Sequence, residues 1–400
     1  MHVRQWCPCT IYVRGAALQV KTGLTSFAVV QVNYAFDERL TDPDALLSRY
    51  TTLTGWSEAL VDAGARRASV VQRFHRAARL RRNGVDYVFV RGDVRRAVVD
   101  AAADVAHVNG LAFAACTWRL RRALPASTAI VVQNHSDTGP MGRAPVQRLV
   151  GAVARGAVDA FLFAAGEHVD RWRRAGFVGP RQPAYQVMEA STRFAPVERG
   201  HARSASGIDG APAVLWVARL NANKDPLTVL DAFERAVRWL PQATLTMIYS
   251  GDDLLRDVRA RIEQSPALAS RVHLVGAVPH ERLPPFYSAA DLFVVGSHHE
   301  GSGYAVIEAL ACGAVPVVTE IPAFRVLTAN GSFGALWPAG DAAACGRALT
   351  DVAARNLSGE RLRVLDHFAR NLSWDAIGRR ALAIYAEVLR ARRRGRESRR

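Results

Sequence analysis

Glu300 and Glu308 are separated by seven residues, and the turn Gly301-Ser302-Gly303 lies between the first of them and a run of helix-forming residues. The backbone N–H groups of such a turn, with a helix N-terminus behind it, make a site for a phosphate-like anion. A carboxylate is a poor neighbour for phosphate but a good acceptor for hydroxyls. Two of them around one anion site point to a ligand carrying both phosphate and vicinal diols, such as a nucleotide sugar. A lone Glu-x7-Glu is more simply a helix with two solvated glutamates. Here the spacing falls in a glycine turn and the apolar stretch ALACGAVPVV follows, which weighs against that alternative.

A second set lies upstream. Arg219 and Lys224 follow an apolar run, and Pro226 opens the next helix at a position that proline favours. Two cations at the carboxyl end of a strand, beside a helix N-terminus, suit a diphosphate. The plain alternative is an exposed basic loop, but this arginine-biased chain has only two lysines, Lys21 and Lys224, and places one here. A third set follows the apolar run Ala129–Gln133: Asn134, His135, Ser136 and Asp137. Open α/β sheets bind ligands just past the carboxyl ends of their strands, so His135 is placed at a ligand edge. Asn109-Gly110 occupies the same kind of position, and Glu167 lies in a loop facing either solvent or an acceptor. His298 and His299 look like metal ligands, but adjacent side chains rarely converge on one ion; they are read as cleft-wall residues, and no metal site is expected.

Parallel strands must position these groups. Leu292–Val295, a helix over Tyr304–Ala311 stopped by Gly313, and Val315–Val318 form a βαβ unit. Ala213–Ala218, Thr244–Tyr249 and Val272–Val275 are further strands, the last ending in Gly276-Ala277-Val278. In the first half, strands are expected at Phe27–Val32, Ser69–Arg73, Val85–Val90, Val105–Val108, Ala129–Gln133 and Ala160–Ala164. Helices alternate with them, at Asp44–Ala63, Val94–Ala103 and Thr117–Ala123, and the end of the chain is helical at Asp341–Arg355, Gly359–Arg370 and Trp374–Arg390. The stretch HARSASGIDGAP, polar and without a period, is expected to be a linker.

The segment EGSGYAVIEALACGAVPVVTEIPAFRVL, Glu300–Leu327, resembles the signature of the retaining glycosyltransferases of family four (glycosyl transferases group 1). That resemblance implies an α/β protein of GT-B architecture, two Rossmann-like doubly wound domains facing across a cleft. It implies transfer of a sugar from a nucleotide-diphosphate sugar to a hydroxyl acceptor with retention of configuration, in cell-surface glycan or glycoconjugate synthesis, with no cofactor and no metal. Arg219, Lys224 and the amides of Gly301, Ser302 and Gly303 would hold the diphosphate. Glu308 would take the ribose diol and Glu300 the sugar hydroxyls, and the Gly276–Val278 turn would lie against the base. His135 would reach the donor sugar or the acceptor, with Asn134, Asn109 and Glu167 on the acceptor side. The family usually has a bulky residue where Ser302 stands, and many relatives carry a Gly-Gly loop after the first strand, which NYAFDERLTDPD lacks. A nucleotide-sugar epimerase of the same fold, or a non-catalytic partner subunit, are the other readings. The implied division is 1–25 as a poorly ordered extension, 26–190 as the acceptor-binding domain, 191–212 as linker, 213–373 as the nucleotide-sugar domain, and 374–400 as a crossover helix with a basic tail.

Composition agrees with a globular chain of two domains: 400 residues, half of them hydrophobic. Apolar stretches fall short of a bilayer span and the N-terminus lacks a secretory core, so a cytoplasmic place is expected. Five scattered cysteines suit a reducing compartment, with Cys7 and Cys9 as free thiols. The net charge of +16 favours acidic partners such as nucleotide diphosphates. The tail LRARRRGRESRR is either a solvated end or a contact for an anionic membrane surface. No nucleic-acid-binding motif is present.

Overall fold

A computed structural model describes residues 26–135, 139 and 144–398. The expected extension 1–25, with Cys7, Cys9 and Lys21, lies outside the described residues, as do Ser136 and Asp137. The chain divides into two compact units, one running to Val187 and resuming at Gly378, the other Met188–Ile377.

The first unit is built on eight strands: β1 (Ala28–Asn33), β2 (Arg67–Arg73), β3 (Ala78–Arg82), β4 (Val85–Val90), β5 (Val105–Asn109), β6 (Ala129–Gln133), β7 (Ala160–Phe163) and β8 (Ala184–Gln186). Their order is β3-β4-β2-β1-β5-β6-β7-β8. All neighbours are parallel except the β3–β4 pair. The runs AVVQVN, VAHVN and AIVVQ are buried almost throughout, as strands covered on both faces must be. β3 was not anticipated. It is half of a hairpin turned by Asn83 and Gly84, both at positive φ (49° and 76°), the two-residue turn that Asn-Gly favours. The helix expected over Asp44–Ala63 is two helices, Pro43–Arg49 and Thr51–Asp62, broken at Tyr50.

The last helix, Trp374–Glu397, brings the chain back to the first unit. A Cβ on Gly378 would stand 2.2 Å from the carbonyl oxygen of Ala59, so only glycine allows this approach to the helix Thr51–Asp62. Further along, the Tyr385 hydroxyl accepts a hydrogen bond from Trp56 Nε1 at 3.1 Å and lies 2.5 Å from Nδ1 of His107, all three side chains being buried. Burial, with a smaller effect from His135, pushes His107 down to about 3, which favours the neutral ring. Arg392 pairs with Asp159 and donates to the carbonyl of Ala126.

The second unit is a six-stranded parallel sheet: β9 (Ala213–Arg219), β10 (Thr244–Ser250), β11 (Val272–Gly276), β12 (Leu292–Val295), β13 (Val315–Thr319) and β14 (Ala335–Trp337). Its order, β11-β10-β9-β12-β13-β14, is the dinucleotide-fold order, which reverses between β9 and β12. The expected linker 191–212 contains a helix, Arg199–Ser206, that packs on the helix Pro284–Ala289 within this unit. Glu198 caps it by accepting from the amides of Gly200 and His201, and Gly207 ends it in the left-handed region. Arg199 and Arg203 reach the buried Asp291, whose other contact is the amide of Ala213. Polar composition without a period points to a linker, but here the two arginines have a fixed acidic partner.

Candidate functional site

The reversal between β9 and β12 sets the geometry of the second unit. The two strands pair only at Leu292↔Val214 and Phe293↔Leu215, so the rest of each carboxyl end is free of the other. Such switch points are where open α/β sheets bind ligands. Arg219 and Lys224 follow β9, and Ser297 to Gly303 follow β12.

Lys224 Nζ and Glu300 Oε1 form an ion pair, each side chain about four-fifths buried. The same oxygen of Glu300 accepts from Ser297 Oγ at 2.8 Å, and the carbonyl of Ser297 is held by Thr319 Oγ1 at 2.6 Å. Asn223 bonds the backbone of His298 and His299, and His298 Nε2 lies 3.2 Å from Asp225 Oδ2. These contacts tie the loop after β12 to the loop after β9. Among the described residues no group of three or more His, Cys, Asp or Glu lies together as a metal site would require.

The turn Gly301–Gly303 leads into the helix Tyr304–Cys312, which has no side-chain cap. Gly303 is at φ +76°, and a Cβ there would stand 2.6 Å from the Phe324 ring. The first-turn amides of a helix have no partner within it, and here the amides of Val306 and Ile307 both turn back to the carbonyl of Gly303. Ser302 is buried, and its hydroxyl donates to Oε1 of Glu189 at 2.5 Å.

Glu308 lies one turn into the same helix and is buried. Its Oε2 accepts the Tyr287 hydroxyl at 2.9 Å and its Oε1 lies 2.6 Å from His280 Nε2. The hydrogen bond to Glu308 raises the His280 imidazole above its ordinary range against the effect of burial, and burial, then the charge of Glu308, raises the Tyr287 hydroxyl well above its own. The His280 ring lies 4.7 Å from that of Phe194. Sequence reasoning missed His280, Tyr287 and Glu189. The first stands only two residues beyond the Gly276–Val278 turn, a signal that could have been followed; the other two carry none. Gly276, at φ +83°, opens onto free space, and Val278 is half-buried. Arg219 is exposed at the end of β9, in register with Ser250 of β10.

In the first unit, His135 Nε2 lies 3.3 Å from Oδ1 of Asn109, the atom that also accepts from Gln31 Nε2 at 3.3 Å. Ser57 holds the other end of Gln31 at 2.6 Å. Asn109 pairs in register with Asn33 and Gln133, and Asn33 with Gln72, so a row of carboxamides crosses four strand ends. Asn134 is buried, its amide donating to the carbonyl of Leu162. Glu167 is exposed in the turn Gly166–His168 after β7. The structure thus brings His135 and Asn109 together in one unit, and Lys224, Glu300 and the glycine turn in the other.

Two Rossmann-like, doubly wound units with these strand orders are the GT-B class of glycosyltransferase fold. Residues 211–355 match the model of the family described as glycosyl transferases group 1. A D-inositol 3-phosphate glycosyltransferase of Segniliparus rotundus is 30% identical over 204 residues, 49% of this chain and 45% of that one. The chain spans about half the length of the curated relatives it matches, or less. Among solved structures, the sucrose-phosphate synthase from Thermosynechococcus elongatus superposes with a TM-score of 0.62 at 19% identity, covering 91% of this chain and 99% of that one. The Anabaena protein Alr3699/HepE, solved with UDP and glucose, gives 0.59 at 14% identity, covering 93% and 99%. At these identities the likeness is one of fold. No described helix is long and apolar enough to cross a membrane.

Proposed function

We propose that the protein transfers a sugar from a nucleotide-diphosphate sugar to a hydroxyl acceptor, with retention at the anomeric carbon. The observation that carries this reading is the meeting of Lys224, Glu300 and the Gly301–Gly303 turn at the strand-order reversal of the second unit. Arg219, Lys224 and the turn amides supply positive charge where the diphosphate leaves, the point at which charge builds in the transition state. On donor binding, Lys224 shares its ammonium between Glu300 and phosphate, while Glu300 keeps the Ser297 hydroxyl and turns its second oxygen to the sugar hydroxyls. Glu308 receives the ribose diol, and the Gly276–Val278 turn faces the base. The leaving phosphate takes the acceptor proton on the same face from which the sugar departs, which preserves configuration. The arginine and lysine do the work of a metal clamp, and no cofactor takes part. His135 and Asn109 serve the acceptor side. The named activities of the relatives, and UDP and glucose in the Anabaena protein, support a nucleotide-sugar donor.

The test is a donor screen: UDP-, GDP- and ADP-sugars incubated with the protein, without acceptor or added metal, following thermal shift and slow hydrolysis. One nucleotide is expected to stabilise the protein, with the effect lost in Glu308→Ala and Arg219→Ala. Absence of binding by every nucleotide would refute the reading.

A further inference from the structure

Glu189 is a buried carboxylate with no part in the roles above, two residues past the point where the chain passes into the second unit. It accepts the hydroxyl of Ser302, 113 positions away, inside the turn that faces the donor diphosphate. We propose that Glu189 is a positioning residue for this turn, holding the Gly301–Gly303 amides in place through Ser302. The inference rests on the donor reading given above.

The sequence of the turn makes the argument. Glycine carries no side chain and permits many backbone conformations, so a Gly-Ser-Gly turn has a single side chain by which it can be held. That side chain is the buried Ser302, and its partner is Glu189. The flanks are held by other elements. Glu300 is anchored by Lys224 and Ser297, and Gly303 is packed against the Phe324 ring. Only the middle of the turn depends on Glu189. Donors aimed in advance at a developing anion cost no reorganisation when it forms, so a loosened turn weakens binding of the diphosphate while leaving contacts to base and ribose in place.

The test measures calorimetric affinities for UDP, GDP and ADP, and for the matching nucleosides, in the intact chain and in E189A, E189Q, S302A and the E189A/S302A double variant. For the diphosphate that binds, E189A and S302A are each expected to weaken affinity about tenfold, the range of one hydrogen bond to a charged group. The double variant is expected to lose no more than either single one. E189Q, which keeps an acceptor for Ser302, is expected to recover most of the affinity, and nucleoside affinity is expected to stay unchanged in all four. A general loss of structure would lower nucleoside and diphosphate binding alike, and that outcome overturns the proposal. So do E189A and S302A chains, folded by circular dichroism, whose losses add in the double variant, and so does an S302A chain whose diphosphate affinity stays within twofold of the parent. If the parent chain binds no nucleotide at all, the donor reading itself falls and takes this one with it.

Discussion

The Tyr287 hydroxyl lies 2.9 Å from Oε2 of Glu308, and both side chains are buried in the second unit. One comes from the helix before β12, the other from the helix after it. Tyr287→Phe keeps the ring packing against Phe293 and Phe194 but leaves that carboxylate oxygen without its donor. A buried acceptor so orphaned costs about 1–3 kcal/mol. The expected result is a lower urea midpoint with an unchanged slope, together with weaker nucleotide binding. A variant as stable as the parent would show that Glu308 is oriented by other means.

His280 holds the other oxygen of Glu308, and that hydrogen bond raises its pKa above the ordinary 6.5. Its contribution to stability is complete below pH 6.5 and is lost as the pH rises through its folded value. The stability difference between the parent and His280→Gln is therefore expected to be largest in mild acid and to fade towards alkaline pH. A nucleotide whose ribose displaces His280 from Glu308 releases a proton, so its affinity is expected to rise with pH. Calorimetry in two buffers of different ionisation enthalpy reads that proton directly.

Lys224→Ala strands Glu300 with the Ser297 hydroxyl as its other hydrogen-bond partner at that oxygen. The pair is only partly buried, so the cost in stability is expected to be modest, on the order of 1 kcal/mol. The loss of transfer activity is expected to be far larger, on the order of a hundredfold in kcat, because an electrostatic contact at the leaving group is removed. Comparing the melting temperature with steady-state rates separates the two. Lys224→Arg is expected to restore the stability but not all of the rate, since a planar fork does not replace a point charge.

Tyr385, midway along the last helix, links Trp56 and His107. Tyr385→Phe leaves two buried polar groups without their partner and is expected to cost on the order of 2–4 kcal/mol. His107 makes the same region sensitive to acid. Its folded pKa of about 3 lies below the ordinary 6.5, so its share of stability is full above pH 6.5 and declines as the pH falls towards 3. His107→Gln is expected to unfold over a shallower acid slope, followed by tryptophan fluorescence.

Much of this molecule is legible one segment at a time. The strands over 292–295 and 315–318 and the helix between them follow from apolar runs and from Gly313, whose left-handed conformation ends the helix. These are local effects: burial on both faces demands continuous apolar residues, and a positive φ demands glycine. Other local patterns hide what tertiary contacts build. A polar, aperiodic stretch concealed the helix Arg199–Ser206, because its arginines are satisfied by Asp291, some ninety positions away. The β3 strand, with its many arginines, has no apolar alternation to mark it, although Asn83-Gly84 does mark its turn.

Residue types and spacing therefore marked alternating strands and helices and named Arg219, Lys224, Glu300, Glu308 and the glycine turn as groups suited to a phosphate and a diol, while the class of fold was implied by the resemblance carried by Glu300–Leu327. Tertiary structure alone decided which groups touch. Lys224 meets Glu300 across 76 positions, Glu189 meets Ser302 across 113, and Trp56 meets Tyr385 across 329. Such contacts depend on the order in which strands enter a sheet and on where a returning helix packs. That order minimises the free energy of the whole chain, and no short stretch of sequence carries it.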